Sequence, residues 1–191
     1  MRFVVAGFVW LLIAIALGAS GALQRIKPPA PQLIIIGLVI ALLAAYVINA
    51  RFREWLRELD LRALIALHLT RFVGFYFLYL YRKGQLPGGF AVPAGCGDII
   101  IATFALVLLV AWSRVGRQRG VLLLWNALGL LDILFVVADA ANQALTAPAA
   151  MAALLRLPLS LLVTFLVPLI IASHLLIFAR LRTQGKVTSD E

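Results

Sequence analysis

Charge is scarce in this sequence. Only 13% of its 191 residues are Asp, Glu, Lys or Arg, where a soluble domain carries roughly 25%. Cysteine is almost absent. The single Cys96 excludes an internal disulfide, and no metal-ligand spacing surrounds it, so it reads as a small packing residue at a helix start. There are two histidines, His68 and His174. No P-loop, GxSxG or HExxH motif occurs, so the commonest nucleotide-binding, hydrolase and metalloprotease chemistries find no support. No metal site and no catalytic residue can be assigned.

What the sequence has is apolar length. It is 64% hydrophobic, and the excess is gathered into runs separated by short polar punctuation, the pattern of an all-α integral membrane protein. The runs are apolar all round rather than striped, which sets aside a soluble bundle of amphipathic helices. Six are placed at about 3–23, 32–50, 61–81, 96–112, 121–142 and 157–180, near the ~20 residues a span requires. The fourth is the shortest. The connections are short, so neighbours should pack antiparallel in one transmembrane domain covering 1–191. Arg2, the apolar stretch after it and the small residues at 18–22 loosely match a signal peptide, but the run reads as a retained helix. Ala14, Gly18 and Ala22, and Gly37, Ala41 and Ala45, form two small-residue stripes suited to close helix packing.

The net charge of +9 sits at the ends of the runs, so it points to membrane topology and not to nucleic acid. One side of a six-span topology holds Arg2, Arg51, Arg53, Arg57, Arg62, Arg114, Arg117, Arg119, Arg180, Arg182 and Lys186. The other holds Arg25, Lys27, Arg82, Lys83 and Arg156. Eleven against five predicts both termini in the cytoplasm of a multi-pass inner-membrane protein. The lipid bilayer is the first partner, through its anionic headgroups.

The polar residues inside the runs are fewer and more telling. Arg71 lies ten residues into the third run, roughly 15 Å deep, where a charge costs about 2.5–3.5 kcal/mol and needs a partner. Asp132 lies at about the same depth in the fifth run. We therefore expect an Arg71–Asp132 pair inside the bundle. His68, Asn126 and His174 fall in an adjacent layer closer to the cytoplasmic end. Pro168 should kink the sixth helix beside them and free a carbonyl there. His68, Arg71, Asn126, Asp132 and His174 are thus the candidate ligand-binding residues. Asp98 and Asp139, with Gln143, are placed in a separate outer cluster near Arg82 and Lys83. Asp98 alone reads as the cap of a helix that starts after PAGCG. Buried polar groups of this kind serve either as a site or as glue between helices.

The stretches RFVGFYFL (71–78), GQLPGGFAVPAGCGD (84–98), NALGLLD (126–132) and LPLSLLVTFLVPLIIASHLLIFARL (157–181) carry a resemblance. They resemble a family of small uncharacterised bacterial polytopic integral membrane proteins, over about residues 60–181. The motif positions include Arg71, Gly74, Gly97, Asp98, Asn126, Gly129, Asp132, Pro168 and His174; His68 stands outside them. The resemblance implies membrane class and these site residues, and no reaction.

Three functions stay open. One is an intramembrane site for a small solute or protons, which in so small a bundle implies a homo-oligomer. The second is a b-type haem protein with His68 and His174 as axial ligands. The third is an accessory subunit of a larger membrane complex.

Overall fold

The computed structural model describes residues 2–116 and 118–187, with side chains described as far as residue 182. Arg117 and the side chain of Lys186, both counted in the charge bias, lie outside the described residues. The architecture among the described residues is all-helical. Six helices are long and apolar enough to cross a membrane: Arg2–Ala19, Ala30–Ile48, Leu61–Arg82, Gly88–Val110, Arg119–Thr146 and Leu162–Arg182.

The first two are α1 (Arg2–Ala19) and α2 (Ala30–Ile48). Pro31 at the start of α2 suits a first turn, whose N–H groups have no helical partner. The charged segment after α2 is not a loop. It folds as α3 (Ala50–Glu58), capped where Asn49 Oδ1 accepts from the Phe52 N–H at 3.0 Å. Phe52 and Trp55 pack on Phe3, with ring centroids 5.1 and 5.4 Å away, while the arginines and glutamates line the rest of this short amphipathic helix. Arg180 donates to the carbonyls of Leu56 and Leu59 at the end of α3, tying it to the sixth span.

The third span is two helices around a tight turn: α4 (Leu61–Leu67), a 3₁₀ segment (His68–Val73) and α5 (Gly74–Arg82). Residues three apart eclipse in 3₁₀ geometry, which stacks His68 over Arg71. The fourth span, α6 (Gly88–Val110), starts eight residues before the expected 96. The glycine-rich segment is helical because α5 lies almost against it. A Cβ on Gly74 would run into the Gly95 carbonyl and come within 3.1 Å of Asp98 Cβ. Small residues permit such an approach in lipid. Cys96 therefore sits mid-helix and exposed, not at a helix start. The short α7 (Trp112–Val115) leads to α8 (Arg119–Thr146), and a 3₁₀ segment (Pro148–Leu155) follows.

The sixth span opens with a π-helical turn (Leu162–Leu166) and continues as α9 (Val167–Val187). Pro168 lacks the N–H that would bond the carbonyl of Thr164, four residues earlier. That carbonyl accepts from Trp10 Nε1 of α1 at 2.9 Å. The carbonyl expected to stand free beside the polar layer is thus taken by α1. The small-residue stripes divide in the same way. Gly18 packs on Leu157 and Ser160 of the segment before α9, whereas a Cβ on Gly37 would meet nothing within 4 Å. The rest of α1 is largely exposed, as a lipid-facing helix would be. The core lies among α4 to α9, with α6 packed on α5 and α8, and α8 on α9.

Candidate functional site

Arg71 is 1% exposed, and its guanidinium reaches three acceptors on two other helices. Nε donates to Asp98 Oδ1 of α6 at 2.7 Å. Nη1 donates to the Gly129 carbonyl of α8 at 2.9 Å. Nη2 donates to Asp132 Oδ2, one turn further along α8. The expected Arg71–Asp132 contact is therefore present, and Asp98 joins it. This corrects the assignment of Asp98 to an outer cluster and to a helix cap. With α6 starting at Gly88, Asp98 lies ten residues inside the helix, roughly 15 Å down and level with Arg71. Asp139 accepts from Gln143 Nε2, its companion in that cluster, at 3.0 Å on the same helix.

Glycine makes room for the third partner. A Cβ on Gly97 would collide with the Asp132 carboxylate. Only a residue without a side chain lets that carboxylate lie against α6 and still reach Arg71. The Asp132 side chain is 20% exposed and that of Asp98 only 5%, so Asp132 is the edge of the centre.

The second half of the site is a histidine pair. His68 and His174 are both fully buried, with ring centroids 4.2 Å apart. Trp125 stands edge-on to His68 at 5.0 Å. The hydrogen bonds decide the tautomers. Ser173 Oγ spends its proton on the Ile170 carbonyl at 2.8 Å. It therefore accepts from His68 Nε2 at 3.1 Å. Asn126 Nδ2 donates to the His174 carbonyl at 3.0 Å, which turns Asn126 Oδ1 toward the ring. That oxygen accepts from His174 Nδ1 at 2.8 Å. Each neutral imidazole is left with one bare nitrogen, His68 Nδ1 and His174 Nε2, and both are buried without a partner.

Gly129 joins the two halves. Its carbonyl takes Arg71 Nη1, and a Cβ at this position would lie 2.6 Å from His174 Cε1 and 3.1 Å from Nε2. The five expected residues thus fall in one contiguous cluster. Counting depth along the helices left Asp98, Ser173, Trp125 and the two glycines out of the cluster. The glycines and Asp98 already stood in the motifs, and reading 88–97 as helix would have placed Asp98 at the right depth.

The pair does not fit a haem. Axial histidines hold iron between them on opposite faces of a macrocycle. Rings 4.2 Å apart, tilted by 47° and in direct contact leave no slot for one. Both nitrogens that do have partners are bound to Ser173 and Asn126.

No curated protein and no solved structure matches this chain. A family model described as "Domain of unknown function (DUF8737)" matches residues 28–182, which include α2 and every residue of the Arg71 centre and the histidine pair, and the chain belongs to that family.

Proposed function

We propose that this chain is a proton-handling multi-pass protein of a bacterial inner membrane, with both termini cytoplasmic. The observation that carries this reading is the pair of bare, buried imidazole nitrogens beside the Arg71 centre. Buried nitrogens are normally partnered, and a lone pair without a donor on each of two touching rings is a place for a proton.

Charge balance supports the same reading. Two carboxylates, Asp98 and Asp132, face one guanidinium. With neutral histidines the centre carries one negative charge too many, and one proton balances it. An uncompensated charge at this depth costs about 2.5–3.5 kcal/mol. A proton on His174 Nε2 would be donated toward the neighbouring Gly129 backbone, whose carbonyl already holds Arg71. The competition would loosen Arg71 from Asp132, the partly exposed edge of the centre. Protons are favoured over solutes because Arg71, His68, Asn126 and His174 are closed off almost completely.

Purified protein in liposomes holding a trapped pH-sensitive dye tests the proposal. Under an imposed pH gradient with charge compensation, the wild type should discharge the gradient faster than empty vesicles. His68→Gln and His174→Gln should each slow it. Vesicles as tight as empty ones would refute proton handling and leave the cluster a packing device, the role of an accessory subunit.

A further inference from the structure

A second feature lies apart from the proton centre, at the other end of the cluster's helices. A cavity of about 670 Å³ opens between α2, α8 and the Pro148–Leu155 segment. That is within the range of sites that take small ligands, roughly 300–1,000 Å³. None of His68, Arg71, Asn126, Asp132 or His174 lines it. Its interior is apolar, walled by Ile35, Phe77, Phe90, Val136, Leu159 and Val163. Its rim carries Arg25, Lys27 and Arg156. These three cations come from separate parts of the chain, the α1–α2 connection and the segment before the sixth span, and converge there by folding. All three are exposed, and among the described residues none is paired with a carboxylate. Gln32 Oε1, also at the rim, is buried with no hydrogen-bond partner.

The position of the rim selects the ligand. The α1–α2 connection, the start of α2, the end of α8 and the entry to the sixth span all meet there. In a bilayer this is the depth of the lipid headgroups, and the apolar interior runs inward from it at the depth of the acyl chains. We propose that this cavity binds an anionic amphiphile of the membrane, its chain against Phe77, Phe90 and Val136 and its phosphate or carboxylate head held by Arg25, Lys27 and Arg156. The apolar wall would not hold a free anion, and the cations add nothing for a zwitterionic lipid of equal chain length. A single cation near a membrane surface contributes about fivefold to binding an anionic lipid, so three together should contribute about a hundredfold.

Native mass spectrometry of the detergent-purified chain, titrated with phosphatidylglycerol, tests this. Phosphatidylcholine with the same chains and glycerol phosphate serve as the other probes. Phosphatidylglycerol should bind in a 1:1 complex, phosphatidylcholine far more weakly, and glycerol phosphate should not compete. The exposed triple variant Arg25→Gln/Lys27→Gln/Arg156→Gln should lose about a hundredfold in affinity. Ala140→Trp, at a partly buried position on the cavity wall, should block binding with the cations intact. Equal retention of both lipids, or no effect of the triple variant, would overturn the anionic head. Binding unaffected by Ala140→Trp would place the lipid elsewhere on the surface. Competition by glycerol phosphate would reduce the site to a simple anion site and overturn the amphiphile.

Discussion

Replacing Arg71 by Met removes the charge and all its hydrogen bonds while keeping an unbranched side chain. Three acceptors then lose a donor: Asp98, Asp132 and the Gly129 carbonyl. Gly129 lies within α8, so the second lone pair of its carbonyl keeps the helical bond and its loss is minor. The carboxylates matter more. Breaking a buried ion pair by removing one partner costs about 3–5 kcal/mol. Here two carboxylates are stranded, and the desolvation that penalises an unpaired charge is more complete at Asp98, 5% exposed, than at Asp132, 20% exposed. Most of the loss should therefore come from Asp98. This orders the rescues. Arg71→Met should be the least stable variant. Adding Asp132→Asn should recover a minor part, and adding Asp98→Asn the major part. The triple variant should come closest to wild type. Reversible unfolding in mixed micelles by added sodium dodecyl sulfate, followed by far-UV circular dichroism, measures the series. A stable Arg71→Met variant, or a larger rescue by Asp132→Asn than by Asp98→Asn, would refute the burial argument.

Gly129→Ala should push His174 away from α8 and Gly97→Ala should expel the Asp132 carboxylate, each costing about 1–3 kcal/mol in the same unfolding assay. Trp10→Phe should lose the bond to the Thr164 carbonyl that Pro168 leaves open, about 1 kcal/mol, with a small loss of α1 docking visible as faster proteolysis of the N-terminal helix. Single cysteines placed in the 24–31 and 113–120 connections of a Cys96→Ala chain should react with an impermeant reagent outside intact cells only in the first; labelling of the 113–120 connection alone would reverse the orientation.

The number and approximate place of the spans were legible in the sequence because lipid imposes length and hydrophobicity locally, residue by residue. Arg71 and Asp132 were legible as partners because depth along a helix follows from counting, at about 1.5 Å per residue. The same counting failed for Asp98. It starts from a helix end, and GGFAVPAGCG looks like a turn until α5 is packed against it. Glycine and proline are poor helix formers in water, but packing against a neighbouring backbone overrides that propensity. Pro168 was read correctly as the cause of an unpaired carbonyl, yet which neighbour takes that carbonyl depends on how α1 docks. The family model matches from residue 28, before α2. The sequence by itself determined six helices long and apolar enough to cross a membrane and the layer in which charge is buried. Only the tertiary structure decided that Arg71 has two carboxylates, that the histidines touch, and which of their nitrogens stay bare. Those are relations between helices, and an apolar helix says little along its own length about the direction in which its neighbours lie.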